Sequence, residues 1–218
     1  MPKPYCYDHP RPAVTVDTAA FVLDGPTLRV LMVKRGRPPF EGRWALPGGF
    51  IDLDEDAAPA ARRELLEETG ISPGPRAPFE PIGFYAAPGR DPRGRTISLV
   101  FATAMPGPPP SPTGGDDASD ASWVVADPAP GPLAFDHEAI LADALAWLRR
   151  GVEAGPVGVG MLPDRFDRDD ARALFHAVGL PLRHSARWLG RCEKEGLIEP
   201  AGGESQRYRV IGAPPGEG

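Results

Sequence analysis

The stretch ARRELLEETG, residues 61–70, decides how this chain is read. On a helix, Glu64, Glu67 and Glu68 fall at i, i+3 and i+4 and share one face. Like charges four apart destabilise a helix by about 0.2–0.5 kcal/mol, and Glu64 with Glu68 is such a pair. Arg63 can answer Glu67 at i+4, but nothing close in sequence answers Glu64 or Glu68. A divalent cation would. The plainer reading is a solvated acidic face, and the surrounding sequence has to choose between the two.

Composition narrows the classes. The 218 residues suit one large or two small domains, and 41% hydrophobic content is enough for a core. A formal net charge of −6 excludes a global basic field for nucleic acid. Between Pro156 and Gly218, nine basic residues balance nine acidic ones, so the negative excess lies in residues 1–155. Cys6 and Cys192 are too few and too far apart for a disulfide framework, and no Cys/His spacing suggests zinc. The opening MPKPYCYDHP lacks the apolar centre of a signal peptide, and no apolar run approaches transmembrane length. A cytoplasmic protein with no membrane partner is expected.

Around the acidic stretch, local patterns predict an alternation of strands and helices. Residues 1–12 carry four prolines and read as an extended arm. Residues 13–25 and 27–36 are β-branched, apolar runs split by Asp24-Gly25-Pro26, which predicts a hairpin. A Pro/Gly-rich connection (37–56) leads to a helix from about Ala57 to Thr69, with Pro59 tolerated in its first turn and Gly70 ending it. Strands follow at 78–87 and 95–105 around the turn PGRDPRGR, then a flexible loop at 106–121 and a short strand, SWVVA. Residues 136–151 are helical, with Ile140, Leu141, Ala144, Leu145 and Leu148 on one stripe, Asp136 as N-cap and Gly151 as stop. In that setting His137 reads as a packing or hydrogen-bonding residue. The Gly/Pro-rich 152–160 reads as a linker, and 161–218 as a small unit of helix, helix and strand.

The acidic helix also belongs to a longer pattern: Gly49, five residues, Glu55, seven residues, then Arg63-Glu64-Leu65-Leu66-Glu67-Glu68-Thr69-Gly70-Ile71. This resembles the Nudix box at every defining position. The resemblance implies an α/β fold, an α/β/α sandwich with a mixed sheet over residues 13–151. It also implies a Mg²⁺-dependent hydrolase of nucleoside diphosphate derivatives, with Mn²⁺ as an alternative ion. Carried over by position, it makes Glu64, Glu67 and Glu68 metal ligands and has Arg63 orient a glutamate. It places Glu55 behind the ligands or in weak metal contact, and makes the Gly48 carbonyl a further ligand. The chemistry is consistent, because magnesium prefers oxygen donors and is completed by water and phosphate. Leu65 and Ile71 are expected to bury the helix against the sheet.

Other segments resemble ADP-ribose pyrophosphatases and Nudix-related transcriptional regulators of NAD metabolism: DTAAFVLDG, VLMVKRGRPPFEGRWALPGGF, GRDPRGRTISLVF, and DDASDASWV followed by LAFDHEAIL. Arginine suits bidentate anion recognition, which makes Arg35, Arg43, Arg90, Arg93 and Arg95 candidate phosphate contacts. Structural roles stand beside these, with Asp91 locking the turn through Arg93 or Arg95. Phe40 and Trp44 are candidates for stacking on adenine or for the core. Asp116, Asp117 and Asp120 are candidates for a late base or metal contact, or for a solvated loop. The implied reaction is hydrolysis of ADP-ribose, or a close relative, to AMP and ribose 5-phosphate.

The regulators also carry a C-terminal winged helix, which MLPDRFDRDDARALFHAVGLPL resembles. The implied partner is double-stranded DNA, bound by a homodimer. LRHSARWLGRCEKEGL would supply Arg183, Arg187 and Arg191 from a recognition helix, and GGESQRYR would supply Arg207 and Arg209 from the wing. The chain departs from the family here. It has Arg187-Trp188 where the family has an Asn-Phe pair, then Leu189-Gly190 where arginines are usual, which argues for a packing or dimerisation module instead.

Overall fold

The computed structural model describes residues 8–9, 11–113, 118–201 and 207–211. Cys6, Asp116, Asp117, most of the expected N-terminal arm and the first part of the expected wing lie outside them. The N-terminal unit is built on a seven-stranded mixed sheet. Strands β1 (Ala13–Asp24) and β2 (Thr27–Arg35) form the expected hairpin, antiparallel with Phe21 opposite Val30. Short strands β3 (Trp44–Ala45) and β4 (Gly48–Phe50) pair with β2 and β1 respectively. After helix α1 (Ala57–Thr69) come β5 (Phe79–Tyr85) and β6 (Thr96–Met105). β6 lies parallel to β1, with Asp17 beside Val100. The path β3-β2-β1-β6-β5 is completed by β7 (Ala118–Val125) on β2.

The ends of α1 follow local chemistry. The Asp56 carboxylate accepts a hydrogen bond from the Ala57 amide, and Gly70 closes the helix at φ 69°, the left-handed region that favours glycine. Ala60, Ala61 and Leu65 are buried, and Leu65 meets Ile71 in a small core. The expected stripe of α2 (His137–Ala154) is buried as read, joined by Trp147 and Val152.

Several expectations change. β7 begins at Ala118, so the loop after β6 is shorter than its polar composition suggests, and Asp120 stands in a strand opposite Lys34. Asp136 precedes α2 but makes no cap bond, because its carboxylate is taken by Arg90. Gly151 does not stop α2. The helix runs on to Ala154 and turns at Gly155 with φ 125°. The stretch read as a linker is helical and largely buried: the end of α2, then α3 (Pro156–Met161), with Val152, Val157, Val159 and Met161 in the core. The glycines there permit close approach. A Cβ on Gly151 would lie 2.6 Å from Val157 Cγ2, and one on Gly158 would lie 2.9 Å from Trp188 Cζ2.

The C-terminal unit is winged-helix-like: β8 (Arg165–Asp167), α4 (Arg168–Ala177), a single 3-10 turn at Leu182–His184, α5 (Ser185–Lys194), β9 (Ile198–Pro200) and β10 (Arg207–Val210). Its sheet runs in the order β8-β10-β9, antiparallel throughout. Asp167 and Asp170 form a reciprocal capping box at the start of α4. Phe166, Phe175, Trp188 and Tyr208 share one continuous hydrophobic cluster with Phe21, Val100 and Leu148 of the first unit. Arg149 Nε donates to the Val178 carbonyl at 2.9 Å across the same junction.

Gly151→Leu tests this junction. In an exposed helix interior, replacing glycine would gain up to about 1 kcal/mol. Here the side chain must enter packed space, so the urea midpoint should fall by an amount worth about 1–3 kcal/mol.

Candidate active site

Helix α1 delivers the acidic face and the β3–β4 segment lies against it. Arg63 is the organising cation. Its Nη2 donates to Glu55 at 2.8 Å, its Nη1 to Glu64 at 2.8 Å and to Glu67 at 3.1 Å, and Nη2 also reaches the Phe50 carbonyl at 3.2 Å. Glu64, which has no partner at helical spacing along the chain, is paired here. Arg63 answers it as well as Glu67, since both lie within reach of one guanidinium. These bonds hold the Glu55 carboxyl below the ordinary value and raise Arg63 further.

Among the described residues, Glu68 receives no such pairing. It accepts one hydrogen bond, from the Gly48 amide to Oε2 at 2.9 Å. Burial, reinforced by Glu64 and Asp17, pushes its carboxyl up to about 7, against the pull of Gly48 and Arg35. Burial also raises Glu64, against the pull of Arg63. Gly49 makes room for the Glu64 carboxylate, because a Cβ there would stand 2.4 Å from its Cδ.

These groups open on a cleft of about 470 Å³. It gathers Gly48, Arg63, Glu64, Glu68, Arg35, Arg90 and Arg93 from the candidate residues. Arg93 makes a forked ion pair with buried Asp91, 2.7 Å at its shortest, as the turn reading allowed. Arg35 and Arg93 both lie over the ring of Phe135, at 4.8 and 5.8 Å from its centre. Arg90 is 4% exposed and forks onto Asp136 at 2.6 and 2.9 Å, so it braces the wall instead of presenting free donors.

Other candidates are placed elsewhere. Glu55 and Glu67 hold Arg63 from outside the cleft lining. Arg43 packs over Phe40, and neither lines the cleft. Trp44 packs on the main core, and Arg95 Nη1 donates to the Ala86 carbonyl at 2.5 Å, outside the cleft. Asp120 is not at the cleft either.

Asp17, Phe135 and His137 line the cleft without having been singled out as site residues. Asp17 is 7% exposed, accepts from the Ser98 hydroxyl and lies 3.8 Å from Arg90. A lone acid inside the apolar run VTVDTAAFV was the available signal. Phe135 stands at φ 54°, a strained position for an aromatic residue and one that no sequence pattern announces. His137 is buried, and burial lowers its pKa, so it is neutral. Its Nδ1 accepts from the Leu46 amide at 2.9 Å, which leaves the proton on Nε2.

In the C-terminal unit, Arg183, Arg187, Arg191, Arg207 and Arg209 are all exposed. Arg187 and Arg191 share one face of α5. Two of the five are engaged within the chain: Arg191 donates to the Glu153 carbonyl, and Arg209 pairs with Glu199.

Residues 14–148 match the NUDIX domain. The chain belongs to the NUDIX family. It is a Nudix hydrolase by its matched domain and by its relatives. An ADP-ribose pyrophosphatase of Methanocaldococcus jannaschii is 41% identical over 119 residues, 55% of this chain and 67% of that protein. An ADPR-responsive transcriptional repressor NtrR of Acinetobacter baylyi is 29% identical over 215 residues, 96% of this chain and 82% of that protein. Among solved structures, Shewanella oneidensis NrtR complexed with a 27mer DNA is similar with a TM-score of 0.74 and 25% identity, covering 91% of this chain and 93% of that one.

The donor set fits a hard divalent ion in chemistry, though not as a finished cage. Among the described residues, no three Asp, Glu, His or Cys side chains converge on one point. Arg63 is the reason, since it draws three of the carboxylates to itself. Glu64 and Glu68 nonetheless line the cleft as half-buried oxygen donors with raised pKa values, an arrangement that an added cation would stabilise.

Glu68 sets a pH dependence. Folding raises its pKa from the ordinary 4.5 to about 7, so the folded chain holds that proton more tightly than the unfolded chain. Without divalent ions, stability should therefore fall as pH rises from about 4.5 through 7, by on the order of 3 kcal/mol. Thermal melts across that range should show the decline. Glu68→Gln should flatten it, and Mg²⁺ should reverse it.

Proposed function

We propose that this chain hydrolyses the pyrophosphate bond of ADP-ribose, or of a close relative, with Mg²⁺, giving AMP and ribose 5-phosphate. Mn²⁺ is the alternative ion. The observation that carries the reading is the pair of half-buried carboxylates with raised pKa values, Glu64 and Glu68, in one cleft with the cations Arg35 and Arg93. The cleft volume lies within the roughly 300–1,000 Å³ of small-ligand sites. Glu64, Glu68 and the Gly48 carbonyl would hold the ion, and Glu67 would join them only after releasing Arg63. Bound there, a divalent ion supplies neutralisation of phosphate charge and acidification of a water.

The chain's own groups do the rest. Arg63 keeps Glu64 oriented and limits repulsion along α1. Arg35 and Arg93 offer guanidinium donors to the diphosphate, and their seats on Phe135 fix them before substrate arrives. Asp91 holds Arg93 by its forked pair, and Arg90 with Asp136 stiffens the wall behind. The reading places the protein in the cytoplasm, where NAD-derived nucleotides arise. Among the described residues, no helix is long and apolar enough to cross a membrane.

Product chromatography on a metabolite panel tests this. ADP-ribose should be cleaved with higher kcat/KM than nucleoside triphosphates, and a preference for a triphosphate would remove the ADP-ribose assignment. Glu64→Gln and Glu68→Gln should each lower kcat by on the order of 100-fold. Turnover near wild type at saturating Mg²⁺ would leave α1 with only a solvated acidic face.

A second reading has its own support in the winged-helix-like unit and in the similarity to a repressor structure bound to DNA. It makes the chain an ADP-ribose-responsive regulator, acting as a homodimer through Arg183, Arg187, Arg191, Arg207 and Arg209. Arg191 would have to exchange the Glu153 carbonyl for phosphate. A mobility-shift titration of Glu68→Gln with DNA from the gene's upstream region, with and without ADP-ribose, tests it. A salt-sensitive shift altered by ADP-ribose is expected. No shift in either state would leave this unit as a structural appendage.

A further inference from the structure

Three backbone bonds converge on the two-residue link between β3 and β4 and the first residue of β4. Leu46 and Pro47 make that link, and Pro47 has no amide hydrogen, so Leu46 carries its one backbone donor. That donor is buried and goes to His137 Nδ1 at 2.9 Å, from 91 residues away. The Pro47 carbonyl accepts from the Thr18 amide at 2.9 Å. The next residue, Gly48, gives its amide to Glu68 at 2.9 Å and stands opposite Asp17 in the β1–β4 register. Gly48 fits tightly, since a Cβ on it would lie 2.7 Å from Asp17 Oδ1 and closer still to the Val16 carbonyl. His137 is itself fixed. It is 3% exposed, its Nε2 lies 3.5 Å from Asp17 Oδ1, and its ring packs against Phe135 at 5.4 Å.

We propose that His137 is a positioning residue of the Nudix site: by capping the Leu46 amide it holds the Leu46–Pro47–Gly48 link in the place where Gly48 orients Glu68 and turns its carbonyl toward the ion. The inference rests on the reading of Glu64, Glu68 and Gly48 as the ion's ligands. His137 touches neither ion nor phosphate. It works through one backbone bond and the rigidity of the start of α2, which Arg90 secures by gripping Asp136 next to it. Without an acceptor at that point, the buried Leu46 amide would be left unpaired, and the link would shift to find a partner. Glu68 would then lose the amide that favours its ionised form.

Three substitutions separate the bond from the bulk. Asparagine keeps a hydrogen-bonding atom at the level of Nδ1, whereas glutamine moves it to the level of Nε2. His137→Phe keeps the ring and removes both. Each variant is read by Mn²⁺ binding without substrate, by kcat and KM, and by amide hydrogen exchange at Leu46 and Gly48. His137→Gln and His137→Phe should weaken Mn²⁺ binding and lower kcat, each about 10-fold or more, with a smaller change in KM. Both amides should exchange faster, and His137→Asn should recover most of each loss. If His137→Phe does not fold, the comparison of Asn with Gln decides. Equal behaviour of Asn and Gln overturns the proposal, as does unchanged Mn²⁺ affinity or unchanged protection of Gly48 in His137→Gln. Wild-type protein that binds no Mn²⁺ would instead overturn the ligand reading on which the inference stands, a result distinct from binding that the variants leave intact.

Discussion

Everything at the cleft depends on how Glu55, Glu64, Glu67 and Glu68 share one small region of protein. Arg63 makes that crowding tolerable. One planar guanidinium with five donors reaches three carboxylates and a backbone carbonyl. A lysine, as a single point charge, could not span that geometry. The fourth carboxylate, Glu68, is left with one amide and a low-dielectric setting. Its raised pKa follows from that imbalance. The site thus stores unfavourable electrostatics that an added cation would relieve, so ion binding there would act on stability as well as on chemistry.

The absence of side chains matters as much as their presence. Gly49 leaves space for the Glu64 carboxylate, and Gly48 lets β4 press against Asp17 and the Val16 carbonyl. At the far end of α2 the same device recurs without any catalytic purpose: Gly151 admits Val157, and Gly158 admits Trp188. Composition alone presents these glycines as flexible. In the fold they are points of closest packing, and the junction they form is part of a continuous core. Helix α2 therefore touches the cleft at one end, through Asp136 and His137, and lies beside α5 at the other, through Glu153 and Arg191.

The arginines divide by the same logic of partners. The sequence presents Arg35, Arg43, Arg90, Arg93 and Arg95 as equals. Arg90 is consumed by Asp136, Arg95 by a carbonyl, and Arg43 sits on Phe40 outside the cleft. Arg35 and Arg93 line the cleft with Arg90 and are seated on Phe135, Arg35 also donating to the Pro39 carbonyl and Arg93 to Asp91. Their distinction lies in Phe135 and Asp136, residues that follow them by more than forty positions.

The sequence by itself determined the local events. The spacing of Glu64, Glu67 and Glu68, the stop at Gly70, the β1–β2 hairpin and the apolar stripe of α2 all depend on neighbours within a few residues, so they could be read directly. The box pattern extended that reach from Gly49 to Ile71 because its spacing is fixed along the chain. Only the tertiary structure decided the rest. It put Asp17, Phe135 and His137 at the cleft, joined Arg63 to Glu55 and to the Phe50 carbonyl, and made the expected linker a packed helix. It also completed the winged-helix-like sheet from strands too short to show a period. Each of those outcomes depends on contacts between distant segments or on a volume that only a neighbouring element defines. The hydrogen bond from Leu46 to His137 spans 91 residues, and no local pattern encodes a partner at that distance.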